Sequence, residues 1–365
     1  MKFSATRETV LKPLHAVIGV VERRQTMPIL SNILLVADDN KLTVTATDLE
    51  VELRAETEAT VESSGEITVP GRKLHDICRA LPDGVELGFT VTGDRVVVKA
   101  GRSRFTLSTL RAADFPVVEE VTTQQRLTLD RQNFRQLLER TQFSMAQQDV
   151  RYYLNGLLLE TDGNTLRAVA TDGHRLALAE IAMGGKAERN EQLIIPRKGV
   201  LELQRLLDGD DEIELTLGVN HIQSQIDEIR FTSKLIDGKF PDYSRVVPAE
   251  PANVIMADRD LLRHALQRAA ILSNEKYRGV RLALGENNVT IQANNPEQEE
   301  AEESVEVEYT GDNMEIGFNV TYLLDALGAV DEEQVQIGLG DTNSSCLIRA
   351  PGDQQSKFVV MPMRL

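Results

Sequence analysis

Asp172-Gly173-His174 sets an acid beside a histidine, the beginning of an acid–base pair, in a chain of 365 residues. No serine or cysteine motif accompanies it, and hydrolytic chemistry needs a positioned nucleophile as well as a base and the acid that orients it. Asp208-Gly209-Asp210-Asp211-Glu212 has calcium-like acidity. A calcium loop, however, requires Gly at its sixth position and Glu at its twelfth, and those places hold Ile213 and Val219, so the cluster reads as a turn. Neither a Gly-rich phosphate loop nor a Cys/His metal cluster is present. The residue types favour binding over reaction: no catalytic residue, no metal site and no cofactor is expected, and the chain is not expected to be an enzyme.

The elements that position these residues recur. A strand ending in a small acidic or amide turn appears at Leu42 to Asp48, at Leu166 to Asp172 and at Val289 to Asn295, a spacing of about 123 residues. A helix opens after Val69-Pro70, after Ile195-Pro196 and at Phe318-Asn319-Val320, and a closing segment runs from Phe105 to Pro116, from Phe231 to Pro241 and from Phe358 to Leu365. A period this long is a triplicated domain, since solenoid repeats span roughly 20–50 residues. The expected domains are 1–125, 126–250 and 251–365.

Each copy opens with a strand and an amphipathic helix. The stripes are Val10, Leu11, Leu14, Val17 and Ile18, with Pro13 expected near the first turn; Phe134, Leu137, Leu138 and Thr141 behind Asp130; and Leu261, Leu262, Ala265, Leu266 and Ala269 behind Asp258, a candidate N-cap. Hairpin turns are signalled at Asp38-Asp39-Asn40, Asp162-Gly163-Asn164 and Gly285-Glu286-Asn287-Asn288. A second helix covers Leu74, Ile77, Cys78 and Leu81, then Val200, Leu203, Leu206 and Leu207, then Val320, Leu323, Leu324 and Leu327. Further strands, Val85 to Phe89, Arg95 to Lys99 and Arg104 to Thr109 in the first copy, complete the unit. The fold class is α+β, two helices packed on antiparallel sheets in each of three repeats. Two helices cannot cover so much sheet, so strand edges must be paired or blocked, and consecutive copies are expected to continue each other's sheets.

Composition bounds the setting. Aromatic residues make up 4% and Trp is absent, so aliphatic side chains must fill the cores. Only Cys78 and Cys346 occur, each in an apolar register, which argues against a disulfide framework and for a reducing cytoplasm. The start Met1-Lys2-Phe3-Ser4 has no apolar signal run and no window approaches a membrane span, so a soluble, unprocessed protein is expected. Net charge is −17, but Lys+Arg against Asp+Glu runs 15 to 18 in residues 1–125, 16 to 20 in 126–250 and 9 to 19 in 251–365. Two thirds of the chain is near balance and can carry a basic face. Lys12, Arg23, Arg24, Arg72, Lys73 and Arg79 surround the first pair of helices; Arg135, Arg197, Lys198 and Arg205 the second; Arg263, Arg268 and Arg278 the third. A recurring basic helix face suits a phosphate backbone and carries no base readout.

Several segments together resemble the beta-subunit family of bacterial DNA polymerase III, the sliding clamps, over the full length. They are Thr171-Asp172-Gly173-His174-Arg175-Leu176, Ile195-Pro196-Arg197-Lys198-Gly199-Val200, Phe231-Thr232-Ser233-Lys234-Leu235, Phe240-Pro241-Asp242-Tyr243, Ala270 to Lys276, Asn294 to Glu300 and Val360-Met361-Pro362-Met363-Arg364-Leu365. The resemblance implies three clamp domains per protomer in a head-to-tail ring dimer of pseudo-sixfold symmetry around double-stranded DNA, with helices lining the hole. It implies sequence-independent DNA contacts from Arg24, Arg72, Gln148, Tyr152, Tyr153, Arg197, Lys198 and Arg205, with one of the tyrosines equally placed to be core. It also implies a groove for short linear peptides of the replicative polymerase, clamp loader, translesion polymerases, and repair and initiation-control proteins. The groove residues are Leu154, Thr171, Gly173, His174, Arg175, Leu176, Pro241, Arg245, Val246, Asn319, Tyr322, Ser345, Val360, Met361, Pro362, Met363, Arg364 and Leu365, and the apolar tail is expected to be docked.

A closed ring needs a seam. Lys73, Arg95, Arg102 and Arg104 with Phe105 and Leu107 are expected on one side, and Ile271 and Leu272 with Glu297, Glu299, Glu300, Glu302 and Glu303 on the other, an asymmetry that selects opposite ends. The implied role is processivity in DNA replication, in the cytoplasm at the nucleoid, with no membrane partner. The rival readings are a structural oligomer that never meets DNA and a triplicated-domain enzyme.

Overall fold

A computed structural model describes residues 1–21, 27–118, 121–249 and 251–364. The first third of the chain forms β1 (Lys2–Thr6), α1 (Arg7–Val17), β2 (Asn32–Asp38), β3 (Lys41–Thr47), β4 (Val51–Glu58), β5 (Thr60–Ser63), β6 (Gly65–Pro70), α2 (Gly71–Ala80), β7 (Glu86–Thr92), β8 (Arg95–Ala100) and β9 (Ser103–Ser108). The middle third forms β10 (Thr123–Asp130), α3 (Arg131–Glu139), β11 (Gly156–Asp162), β12 (Thr165–Thr171), β13 (Arg175–Ala182), β14 (Gln192–Pro196), α4 (Arg197–Leu206), β15 (Glu212–Gly218), β16 (His221–Ile226) and β17 (Ile229–Lys234). The last third forms β18 (Asn253–Asp258), α5 (Arg259–Ala270), β19 (Gly279–Gly285), β20 (Asn288–Asn294), β21 (Glu300–Glu306), β22 (Met314–Asn319), α6 (Val320–Gly328), β23 (Gln334–Leu339), β24 (Cys346–Arg349) and β25 (Ser356–Val360). No helix among the described residues is long and apolar enough to cross a membrane.

These elements form two compact units, 1–132 with 198–235, and 133–197 with 236–365. Each holds one eight-stranded sheet built from two thirds of the chain. In the first, the order β10-β15-β16-β17-β4-β3-β2-β6 joins β17 to β4, with Phe231 opposite Leu53. In the second, β14-β11-β12-β13-β25-β24-β23-β18 joins β13 to β25, with Ala177 opposite Phe358. The expected continuation of one copy's sheet by the next is therefore present twice. The first unit also carries the sheet β5-β1-β7-β8-β9, and the second the sheet β21-β20-β19-β22.

The local reasons match the repeat. Thr6, Asp258 and Asn319 cap α1, α5 and α6, each side chain accepting a backbone N–H of the first turn. The hairpin turns fall at the expected sites, where Asp39, Asn40, Gly163 and Asn287 take positive φ between paired strands. Phe134, Leu137, Leu138 and Thr141 are buried, as are Val10, Leu14 and Val17. Two expectations fail. Pro13 lies in the interior of α1 and not in its first turn; its ring is buried beside Val10, Leu14 and Val17, so apolar burial offsets the hydrogen bond it cannot donate. Leu261 is 62% exposed, because Leu262, Ala265, Leu266 and Ala269 already fill the width of the α5 stripe.

Candidate functional site: a peptide groove and a nucleic-acid face

All the described groove residues lie in the second unit. The turn between β12 and β13 is fixed by its own side chains. The Thr171 hydroxyl donates to the Arg175 carbonyl at 2.6 Å and accepts the Gly173 N–H at 3.1 Å. Asp172 Oδ1 accepts the N–H groups of His174 at 2.9 Å and Arg175 at 3.1 Å, and Oδ2 accepts Arg175 Nε at 3.0 Å. Gly173 stands at φ 90°, a left-handed geometry that favours glycine. Asp172 is thus spent on holding the turn, and His174 projects into solvent.

Arg175 is engaged at all three guanidinium nitrogens. Its guanidinium meets Asp325 Oδ2 at 2.5 Å, donates to the Phe143 carbonyl at 2.7 Å and lies 4.5 Å from the Tyr322 ring centroid. It fixes the helix-α6 wall and leaves no free fork for a ligand. Asn319 accepts the N–H groups of Thr321 and Tyr322. Leu154, Leu176 and Val360 are buried; Thr171, Val246, Asn319, Tyr322, Ser345, Met361, Pro362 and Met363 are half-buried; Gly173, His174, Pro241, Arg245 and Arg364 are exposed. Arg245 pairs with Asp242 at 2.8 Å while its side chain stays 85% exposed.

The tail is docked. Val360 pairs with Arg175 and Cys346, the Met361 N–H donates to the His174 carbonyl at 2.9 Å, and the Met363 N–H donates to Gly317 at 2.9 Å. It therefore bridges β13 to β22 and holds two methionines half-buried, where their flexible thioethers suit ligands of varied shape. Leu365 lies outside the described residues. On the sheet face where Leu176 and Leu178 alternate outward, residues 236–247 cross an apolar cluster with Phe240 buried and Tyr243, Val246 and Val247 packed against it. Sequence reading passed over Phe143 and Asp325, and gave Tyr243 no role beyond its place in the Phe240-Pro241-Asp242-Tyr243 segment. The only local sign was Asp325 one turn beyond Tyr322.

The nucleic-acid candidates divide between the units. In the first, Arg72 Nη2 donates to the Val21 carbonyl. Lys198 Nζ lies 2.5 Å from Asp48 Oδ2 and 3.1 Å from the Val20 carbonyl. Arg205 meets Glu202 at 2.8 Å and the Ala16 carbonyl at 2.5 Å. Of the expected DNA contacts, Lys198 and Arg205 already hold carboxylates within the unit, Asp48 and Glu202. In the second unit Gln148 is exposed at φ 56°, Tyr152 is 57% exposed and Tyr153 packs against the apolar cluster, so the core member of the pair is Tyr153. Burial, with Arg175 close by, lowers the pKa of Arg197, whose Nη1 reaches the Met145 carbonyl at 3.5 Å. Arg24 lies outside the described residues.

Of the seam candidates, Lys73, Arg95, Arg102 and Arg104 are exposed in the first unit, with Phe105 half-buried and Leu107 buried on β9. In the second, Ile271 is 76% exposed, Leu272 is half-buried, and Glu297, Glu299, Glu300 and Glu302 are exposed. Glu303 receives a bidentate contact from Arg268 at 2.7 and 2.8 Å, which holds its pKa below the ordinary carboxylate range.

Models of the DNA polymerase III beta subunit match in three consecutive pieces: its N-terminal domain at residues 1–119, its central domain at 128–242 and its C-terminal domain at 244–364. The chain belongs to the DNA polymerase III beta subunit family, whose curated members are named beta sliding clamp. It is 56% identical to the beta sliding clamp of Pseudomonas putida and 52% identical to that of Escherichia coli K12, with the whole of each chain covered. Among solved structures it is similar to the DNA polymerase III subunit beta of Pseudomonas aeruginosa, at 55% identity and a TM-score of 0.95 over all of both chains. It is also similar to the pol III beta of Caulobacter crescentus, at 41% identity and a TM-score of 0.95, again with complete coverage of both. Another Pseudomonas aeruginosa structure, at 55% identity, holds griselimycin.

Proposed function

We propose that the protein is a non-catalytic DNA sliding clamp of the cytoplasm: two copies close head to tail around duplex DNA, and the groove beside Leu176 tethers polymerase, clamp loader and repair partners through short peptides. The repeat limits 1–125, 126–250 and 251–365 belong to the same proposal. The observation that carries it is a pair of strand edges with no partner among the described residues. β9 and β21 end their sheets, whereas their counterparts β17 and β4, and β25 and β13, are joined. Applied to the open edges, the register of the two existing joints sets Phe105 of one copy opposite Ala301 of the next. Arg104 then faces Glu302, and Thr106 faces Glu300. Leu272 would pack on Phe105 as Phe143 packs on Phe358, whose ring centroids are 6.0 Å apart.

A ring holds DNA topologically, so each phosphate contact can be weak and sequence-blind. The exposed Gln148 and Tyr152, together with Arg72 and Arg197, support that role better than Lys198 and Arg205, which are already paired. The griselimycin-bound relative supports a ligand site on this fold, and we assign such ligands to the groove. The seam is tested by sedimentation at micromolar concentration. A dimer is expected for the native chain and a shift toward monomer when Ile271 and Leu272 are both changed to Ala. A native chain that sediments only as monomer contradicts the proposal.

A further inference from the structure

We infer that Tyr243 is a positioning residue for the groove: its hydroxyl pins the segment 236–247, which carries Pro241 and Val246, to an ion-pair network on the sheet beneath. The inference rests on the groove reading above. Arg167, on β12, donates to Glu160 Oε2 at 2.8 Å, to Glu180 Oε1 at 2.6 Å and to the Tyr243 oxygen at 3.1 Å. The Tyr243 hydroxyl donates in turn to Glu160 Oε2, and Gln192 Nε2 supplies a further bond to that carboxylate at 2.8 Å. The charged members are mostly buried, with Arg167, Glu160 and Glu180 side chains 22%, 19% and 26% exposed, while Gln192 sits at the exposed rim.

The segment is anchored at its start by the Ile236 N–H, which donates to the Ile194 carbonyl at 2.8 Å, but the part that carries Pro241 and Val246 otherwise rests on the sheet through non-directional apolar contacts from Phe240, Val246 and Val247. Such contacts resist lifting and permit sliding. A phenol–carboxylate hydrogen bond is directional and, in a partly desolvated site, strong enough to fix register. The Tyr243 carbonyl accepts the N–H groups of Val246 at 3.0 Å and Val247 at 3.4 Å, so the residue that is pinned also sets the turn carrying the groove wall. Desolvation and Glu160 push the Tyr243 pKa up to about 12, and the phenol remains a donor throughout the neutral range.

The experiment titrates griselimycin against the native dimer and against Tyr243→Phe, Glu160→Ala, Glu160→Gln and a chain lacking Met361 to Leu365, with sedimentation and thermal melts alongside. Tyr243→Phe and Glu160→Ala are expected to weaken binding roughly tenfold through loss of the directional phenol hydrogen bond that fixes register, with the dimer intact. Glu160→Gln keeps an oxygen that accepts from the phenol and should bind within about twofold of native, a rescue that general destabilisation would not give. Native affinity in Tyr243→Phe, or equal losses in Glu160→Ala and Glu160→Gln, overturns the inference. If the tail-deleted chain binds as well as the native one, the groove reading itself fails.

Discussion

The joint between β17 and β4 and the joint between β13 and β25 share one backbone frame and differ in what lines it. Both pair five residues antiparallel. In both, the preceding turn is held by a threonine and an aspartate: Thr47 Oγ1 donates to Val51 and Asp48 Oδ1 accepts from Glu50 and Val51, as Thr171 and Asp172 do for Arg175 and His174. Leu49 stands at φ 78° where Gly173 stands at 90°. The walls diverge. Glu52 occupies the place of Leu176, and each is 2% exposed. Glu52 accepts the Val118 N–H at 2.9 Å, and Asp48 is closed by Lys198. Leu178 likewise stands where the first joint has Arg54, and Val359 where it has Thr232, so within a shared frame the apolar wall is found at the second joint and a polar fastening at the first.

The largest effect expected from breaking this comparison lies in the phenylalanines. Phe358→Ala removes a side chain 1% exposed within a completed joint and should cost about 4 kcal/mol of protomer stability, read as a lower denaturation midpoint. Phe105→Ala, at the open edge, should leave the protomer melt within about 1 kcal/mol of native and instead shift the dimer equilibrium. Equal losses of protomer stability would mean that the edge strand is no counterpart of the joined ones.

Giving the second joint the residue of the first is next in size. Leu176→Glu buries a carboxylate with no waiting N–H and should cost about 3 kcal/mol while abolishing griselimycin binding. Lys198→Ala leaves Asp48 Oδ2, on a side chain 6% exposed, without its lysine, but the Lys198 side chain is itself 25% exposed. A loss of about 2 kcal/mol is expected after allowing for solvent screening, with the salt slope of DNA retention unchanged. A reduced slope with native stability would restore Lys198 as a phosphate contact.

Glu52→Gln gives the smallest change. Burial raises the Glu52 pKa above the ordinary carboxylate range, against the opposing Val118 N–H, Arg230 and Arg54. The folded state thus holds this proton more tightly than the unfolded chain, and its stabilising contribution is present in acid and lost as pH rises through the raised value. The glutamine variant should melt slightly higher than native at pH 7 and converge with it as the pH falls toward 4. A variant that melts lower at neutral pH would mean the charge is needed by Arg230, 3.8 Å away.

The repeat itself was legible. Turn residues such as Asn40 and Gly163, the cap Asp258, the helix opening at Phe318-Asn319-Val320 and the apolar tail each announce local geometry, and local geometry is what sequence spacing encodes. The partners of charged groups were not, because Lys198 finds Asp48, and Arg175 finds Asp325, across about 150 residues of chain. A basic residue read alone looks free. Glu160, Arg167 and Glu180 face one another across neighbouring hairpins, but Tyr243 joins them from 76 residues beyond Arg167, and the two compact units cut across the repeat because β-strand pairing joins the end of one copy to the middle of another.

Encirclement is tested most directly by loading the protein onto a nicked circular DNA, passing the complex through a sizing column, and then cutting the circle once with a restriction enzyme. A topologically held ring stays with the closed circle in salt high enough to strip ordinary phosphate contacts and leaves on linearisation. Retention on the linear product, or loss from the intact circle as salt rises, would contradict the account.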